Sequence, residues 1–167
     1  MKKIGLFYGS SLGKTAKVAE KIQAGFGKTN IDIFDIKTID PNQIVKYDNL
    51  IFGTSAWGVG DMQDDWESFI DTFIELDLSG KKIALFGLGD QHLYPESFAD
   101  GMGTLYCRLK NKEDVVGFWP VEGYKYYFSS AEKDGIFVGL PLDEENQSKL
   151  SDDRIKKWID QLKKEFK

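Results

Sequence analysis

Residues 8–15, YGSSLGKT, follow an apolar run and carry the small and hydroxyl side chains that can bind phosphate. They do not form a nucleoside-triphosphate P-loop, because the pattern G-x-x-x-x-G-K-[ST] requires a glycine at Tyr8. The dinucleotide pattern G-x-G-x-x-G also fails, since Ser11 replaces its second glycine. A turn through Ser10 and Ser11 that enters a helix at Gly13 suits one phosphate monoester, held by helix amides and hydroxyls. Taken alone, the segment is equally compatible with an ordinary strand-to-helix turn capped by serine.

Two further glycine-rich segments each place one large aromatic residue where a polar loop is expected. Trp57 stands in TSAWGVGDMQDDW, and Tyr94 stands in GLGDQHLYPESF. Core packing does not explain an aromatic residue in such a loop. Rings from two neighbouring loops can enclose a flat aromatic ligand, with about 1 kcal/mol from stacking for each ring beyond burial. The pair therefore favours a binding site over two unrelated loop anchors.

The phosphate turn and both aromatic segments are predicted to follow strands. The runs KKIGLFYG, NIDIFDI, DNLIFGTS, KKIALFGLGD and the pair VVGFW and GIFVGLPL indicate five strands, the fifth split by an inserted surface loop, PVEGYKYYFSSAEKD. Between the strands lie segments whose apolar residues recur at helical spacing. PNQIVKYD predicts one short helix, and Ser151 predicts the start of the last helix. This alternation predicts an α/β fold, a parallel sheet with helices on both faces. Ligands of such sheets lie beyond the carboxyl ends of the strands.

Length and charge limit the class of protein. The 167 residues predict one domain spanning 1–167, and neither a membrane span nor a signal peptide is indicated, so a soluble cytoplasmic protein is expected. The net charge is -5, and residues 61–100 alone carry -8, which argues against nucleic acid and favours basic protein partners. One cysteine and one histidine make a metal site improbable. Cys107 is predicted to be buried on a helix over residues 98–109, and His92 to be exposed.

Together these segments resemble flavodoxins of the long-chain type, along the whole chain and including VEGY and GLPLDEENQSKLSDDRIKKW. The resemblance implies a flavodoxin-like doubly wound sheet of order 2-1-3-4-5 that binds FMN without a covalent bond. It implies that residues 10–15 hold the phosphate, that Trp57 and Tyr94 cover the two ring faces, and that Asp90 binds the ring edge. It also implies that the peptide at Gly58 turns over to accept a hydrogen bond from N5 of the reduced ring, which glycine permits. The implied cofactor-binding residues are Ser10, Ser11, Leu12, Gly13, Lys14, Thr15, Thr54, Ser55, Ala56, Trp57, Gly58, Gly60, Gly89, Asp90 and Tyr94.

By the same resemblance the protein is a low-potential one-electron carrier, an electron-transfer protein with no catalytic acid, base or nucleophile. Its expected partners are basic docking surfaces of redox proteins such as ferredoxin/flavodoxin-NADP reductase or 2-oxoacid oxidoreductases, and it is expected to be monomeric. An FMN-dependent quinone reductase on the same fold is the alternative, although Tyr94 over the outer ring face argues against an open substrate cleft. A cofactor-free binding module is a further alternative, and a signalling receiver domain is excluded because the required aspartates are absent.

The sequence departs from the family pattern at one position of the phosphate turn. Leu12 stands where these proteins usually carry a hydroxyl residue, so one bond to the phosphate is expected to be missing unless Ser11 replaces it. A lost hydrogen bond to a charged group costs about 1.5–3 kcal/mol. We therefore expect the departure to affect FMN affinity rather than the identity of the cofactor.

Overall fold

Parallel strands form the centre of the computed structural model, which describes residues 1–167. The strands are β1 (Ile4–Tyr8), β2 (Ile31–Asp35), β3 (Asn49–Trp57), β4 (Asp61–Met62), β5 (Lys82–Leu88), β6 (Val115–Val116), β7 (Trp119–Pro120), β8 (Glu132–Lys133), β9 (Ile136–Phe137) and β10 (Leu140–Leu142). The main sheet has the order β10-β5-β3-β1-β2, with β6 also paired to β5 and all of these pairs parallel. The predicted order 2-1-3-4-5 with a split fifth strand is therefore confirmed, β6 and β10 being its two parts.

Five α-helices connect the strands and cover the sheet. They are α1 (Lys14–Phe26), α2 (Pro41–Ile44), α3 (Asp64–Glu75), α4 (Asp100–Arg108) and α5 (Ser148–Glu165), and a short 3-10 turn spans Lys112–Asp114. Consecutive strand residues such as Leu50, Ile51 and Phe52 are fully buried, because helices cover the sheet on both sides. One cluster of 39 buried hydrophobic residues runs from Ile4 to Phe166. None of the helices combines the length and the apolar character needed to cross a membrane.

The insertion after β6 is more ordered than the sequence suggested. Strands β7, β9 and β8 form a small antiparallel sheet, and Tyr124 is buried with its hydroxyl donating to the Pro141 carbonyl over 2.7 Å. The ring of Tyr124 packs edge-on against Phe137, and the Arg154 guanidinium lies 4.1 Å from its centroid. The predicted surface loop is confirmed for residues 121–131, which form no helix or strand, but Tyr124 and Tyr126 pack inward instead of facing solvent.

Two helix details also differ from expectation. The last helix begins at Ser148 rather than Ser151, and Ser151 is buried in its first turns, where its hydroxyl donates to Glu144. Asp152 and Asp153, which follow Ser151, therefore also lie within the helix. Cys107 is exposed rather than buried, because Met102 and Leu105 define the buried face of α4 and residue 107 points away from it.

Candidate functional site

A cleft of about 280 Å³ opens at the carboxyl ends of β1, β3 and β5. Twelve of the fifteen predicted cofactor-binding residues line it. These are Ser10, Ser11, Leu12, Lys14, Thr15, Ser55, Ala56, Trp57, Gly58, Gly89, Asp90 and Tyr94. Parallel strands bring their carboxyl ends to one edge, so three segments far apart in sequence meet there.

The turn between β1 and α1 presents hydrogen-bond donors that no protein group accepts. The backbone N–H groups of Ser11, Leu12, Lys14 and Thr15 make no hydrogen bond within the chain. Gly13 turns the chain into α1, and its own N–H donates to the Ser10 hydroxyl oxygen over 3.0 Å. Free amides at the positive end of a helix form an anion site. The exposed Leu12 side chain adds no donor, but its N–H does.

Gln63 supports this turn and was not found from the sequence. Its side chain is fully buried and its Nε2 donates to Ser11 Oγ over 3.1 Å. Its Oε1 accepts from the Trp66 N–H over 3.2 Å, which caps α3. The approach is so close that a Cβ on Gly9 would lie 2.2 Å from Gln63 Oε1, so only glycine fits there. In a single sequence, a glutamine among aspartates gives no indication of such a contact.

Trp57 is held by a hairpin rather than by a free loop. Strand β3 ends at Trp57, and β4 returns antiparallel to it with Trp57 opposite Asp61. The three residues between the strands include Gly58 at φ 51° and Gly60 at φ 88°, a left-handed region that costs other residues energy. The indole is 39% exposed, so one face is free for a ligand.

Tyr94 lies on a loop that Asp90 organises. Asp90 Oδ1 accepts from the Leu93 N–H over 2.9 Å, the His92 N–H over 3.1 Å and Asn146 Nδ2 over 2.8 Å. Partial burial raises the pKa of Asp90, but the bonds from Leu93, Asn146 and His92 hold it below its usual value. Asp90 is therefore a carboxylate that orders the loop. Tyr94 is 38% exposed and His92 is exposed, as predicted.

A buried carboxylate ties the Tyr94 loop to the segment before α5. Asp143 is fully buried, and its Oδ2 accepts from the Gln91 N–H over 3.1 Å and from Gln91 Nε2 over 2.7 Å. Its Oδ1 accepts from the N–H groups of Glu145 and Asn146, over 3.1 and 3.0 Å. Both oxygens are thus satisfied, which a buried charge requires. Asp143 was not predicted from the sequence, because an acid in an acidic stretch looks like a surface residue.

Three predicted residues do not line the cleft. Gly13 lies within the turn, Thr54 is buried with its hydroxyl donating to the Ser55 carbonyl over 3.2 Å, and Gly60 lies against Asp100. Four lining residues were missed: Leu88, Leu93, Glu144 and Glu145. Glu145 forms an ion pair with Lys14 across the mouth of the cleft.

The site combines an anion cradle at a helix start with two half-exposed aromatic rings in one cleft at a sheet edge. These features define the class of doubly wound α/β proteins that bind a flat, phosphorylated aromatic cofactor. FMN fits the residues present, because the free amides match its phosphate and the rings of Trp57 and Tyr94 match its planar ring system. No group of histidine, cysteine and acidic side chains is arranged to hold a metal ion.

Comparison with known proteins gives the family. A model of the family described as Flavodoxin matches residues 6–158. Flavodoxin from Synechococcus elongatus is 45% identical over 99% of both chains, and Flavodoxin 1 from Azotobacter vinelandii is 43% identical over 99% of this chain and 98% of its own. The crystal structure of Fusobacterium nucleatum flavodoxin bound to flavin mononucleotide superposes with a TM-score of 0.94 at 38% identity, covering both chains completely. The chain belongs to the flavodoxin family.

Membership of this family decides between the functional alternatives. The protein is an FMN electron carrier rather than an enzyme, as the resemblance implied, and the quinone reductase alternative is not favoured. As a redox carrier it contacts other redox proteins transiently.

Proposed function

We propose that this chain, acting as one domain, holds FMN in the cleft and carries single electrons at low potential. The observation that carries the proposal is the convergence of unpaired amides at the start of α1 with two half-exposed rings in one cleft. In this arrangement the phosphate is bound by the free amides of Ser11, Leu12, Lys14 and Thr15 and by the hydroxyls of Ser10 and Ser11. Trp57 and Tyr94 bind the two faces of the ring.

The remaining site residues adjust the environment of the ring. When bound, FMN supplies the electron-transfer chemistry, and the protein tunes it through stacking, hydrogen bonds and charge. Gly58 already has φ 51°, so its carbonyl can turn to accept a hydrogen bond from a protonated N5 without Cβ strain. Asp90 and Glu144 place negative charge on the walls of the cleft, where Glu145 is paired with Lys14. Added negative charge on the ring is therefore disfavoured, which lowers the potential for full reduction.

The surface around the cleft suits basic partners. Exposed Leu12, Val59 and Leu93 stand in the loops that form the mouth. The acids near it are Asp61, opposite Trp57 in the hairpin, and the lining residues Asp90, Glu144 and Glu145. We therefore propose transient docking on basic faces of ferredoxin/flavodoxin-NADP reductase or 2-oxoacid oxidoreductases, with charge guiding the encounter. Such partners act in the cytoplasm, where we place this protein, as a monomer.

The test is a titration of the cofactor-free protein with FMN and with riboflavin, followed by stepwise anaerobic reduction. We expect one FMN per chain, weaker riboflavin binding because the phosphate is missing, and two well-separated one-electron steps. A protein that takes up no FMN would exclude the proposed site. Reduction in a single two-electron step, with turnover of a quinone, would restore the enzyme alternative.

A further inference from the structure

Two adjacent aromatic side chains in the insertion point into solvent. Tyr127 is 82% exposed and Phe128 is 61% exposed, while the neighbouring Ser129 is buried. Tyr126 is turned inward, with its ring 5.4 Å from that of Phe137. The exposure is therefore confined to two rings and is not a general property of the insertion. Exposed apolar groups side by side on a folded surface mark interaction sites.

The backbone that carries these rings is fixed. The N–H groups of Tyr127 and Phe128 both donate to the Pro95 carbonyl, over 2.6 and 3.0 Å. The Phe128 carbonyl in turn accepts from the Phe98 N–H over 3.3 Å. Because the backbone is already ordered, a partner that binds these rings immobilises only the two aromatic side chains, so the entropic cost is small.

The same hydrogen bonds place the rings beside the cleft. Pro95, the acceptor for both N–H groups, directly follows Tyr94, which lines the cleft. Asp100 Oδ1 also accepts from the Ser130 N–H over 2.8 Å, and the Asp100 side chain lies against Gly60 of the Trp57 hairpin. A protein that covers the mouth of the cleft therefore has the two rings within its footprint.

Charge indicates which kind of partner fits. Acids and lysines nearly balance within the insertion, which has Glu122, Glu132 and Asp134 against Lys125 and Lys133. The negative charge beside the rings comes from the exposed Glu96 next to Pro95 and from Asp100, whose Oδ1 accepts from the Ser130 N–H. The rings thus add apolar contact to an acidic surface. Guanidinium groups match both features, since they pair with carboxylates and stack on aromatic faces.

We propose that Tyr127 and Phe128 form a second docking anchor for redox proteins with an arginine-rich face, separate from the mouth of the cleft. This inference rests on the proposed function, because the partner must exchange electrons with bound FMN. The anchor determines how tightly the partner is held, and it does not touch the cofactor.

The test uses the FMN-loaded protein and a ferredoxin/flavodoxin-NADP reductase as the probe. Turnover is followed as NADPH-dependent reduction of cytochrome c through the carrier, at several carrier concentrations. Tyr127→Ser combined with Phe128→Ser should raise the KM for the carrier by about fivefold or more, as expected for losing anchor residues. The kcat and the FMN affinity should stay within about twofold of wild type, because no cleft residue changes.

Two control variants separate the anchor from other effects. Tyr127→Phe with Phe128→Tyr keeps both rings and should keep the wild-type KM. Val45→Ser removes a partly exposed apolar side chain at the opposite edge of the sheet, where Lys81 before β5 donates to the Val45 carbonyl, and should change nothing. The KM ratio between the serine variant and wild type should persist at high salt, since ring contacts are screened less than surface charges.

A serine variant with wild-type KM would overturn the proposal, as would equal losses in the variant that keeps both rings. A concentration-dependent dimer lost in the serine variant, with unchanged KM, would instead assign the rings to a second copy of this chain. Wild-type protein that binds FMN but does not react with the reductase would refute the partner class, and the anchor with it. Failure to bind FMN would refute the proposed function itself, and the FMN titration distinguishes the two failures.

Discussion

Gln63 holds Ser11 from beneath the phosphate turn, with its Nε2 donating to Ser11 Oγ over 3.1 Å. Because the hydroxyl oxygen accepts this bond, the hydroxyl proton of Ser11 remains free to donate into the cleft. We therefore propose that Ser11 supplies the donor that is missing at the exposed Leu12. A buried residue from the start of α3 thus orients a hydroxyl at the start of α1.

Replacing Gln63 with methionine tests this relationship. Gln63→Met keeps the volume but removes the donor to Ser11, so FMN affinity should fall about five- to tenfold, the effect of weakening one bond to a charged group. Riboflavin affinity, which involves no phosphate, should change by less than about twofold. Loss of the α3 cap should also lower the free energy of unfolding by about 1 kcal/mol. Equal losses for both flavins would show that Gln63 acts on the ring site and not on the phosphate turn.

A hydroxyl introduced at position 12 should tighten FMN binding. The Leu12 side chain lines the cleft and is exposed, so Leu12→Thr adds a donor without disturbing the core. The gain should reach about tenfold in Kd, near the lower end of the range for a hydrogen bond to a charged group. Leu12→Val has nearly the same shape as the threonine variant without the hydroxyl and should leave the Kd unchanged. Fluorescence titration with FMN measures both variants, and equal or weaker affinity of the threonine variant would count against the prediction.

Gly60, in the hairpin that carries Trp57, has a positive φ and also lies close to another side chain. Its φ is 88°, and a Cβ there would lie 2.8 Å from Asp100 Oδ2. Gly60→Ala should therefore destabilise the protein by more than about 1 kcal/mol and weaken FMN binding, because Trp57 shifts with the hairpin. Gly80 is the matched control, since it has φ 71° and a Cβ there would meet no atom within 4 Å. Gly80→Ala should lower the free energy of unfolding through backbone strain alone and leave the FMN Kd unchanged.

The fold could be predicted from the sequence because its signals are local. Buried parallel strands give continuous apolar runs, and the helices between them give regular apolar spacing. The presence of the insertion was predicted but its packing was not, because Tyr124 and Tyr126 look polar in sequence and turn inward only when they pack on Phe137. Cys107 was misjudged because its place beside an apolar stripe does not fix which face it occupies.

Site residues could be predicted where the residue type alone indicates the role. They could not be predicted where the role depends on a contact with a distant residue. Trp57 and Tyr94 were found because aromatic residues are unexpected in polar loops, and both line the cleft. Gln63 and Asp143 were missed because their roles depend on partners 52 residues away in each case. Such long-range hydrogen bonds leave no periodic or compositional trace.

Asp90 should make the order of the Tyr94 loop, and with it FMN binding, depend on pH. Partial burial raises the pKa of Asp90, but bonds from Leu93, Asn146 and His92 outweigh it and hold the pKa below the usual value of a carboxyl group, about 3.9. A carboxyl group with a lowered pKa in the folded state contributes stability above its unfolded pKa and loses it as pH falls through the folded pKa. The loop that carries Tyr94 should therefore loosen below about pH 4.

Asp90→Asn should remove this dependence. Above about pH 5 the variant should bind FMN more weakly than wild type. The difference should shrink only as the pH falls below about 3.9 and through the lowered pKa of Asp90, where the wild-type side chain becomes protonated as well. Asp77 is a control outside the cleft, because the Ser79 hydroxyl and N–H likewise hold its pKa low. Asp77→Asn should alter the acid dependence of unfolding without altering the FMN Kd. Titrations of FMN from about pH 7 down to about pH 2, a range that extends below the usual carboxyl pKa, measure the effect. A constant ratio between Asp90→Asn and wild type across this range would contradict the assigned role.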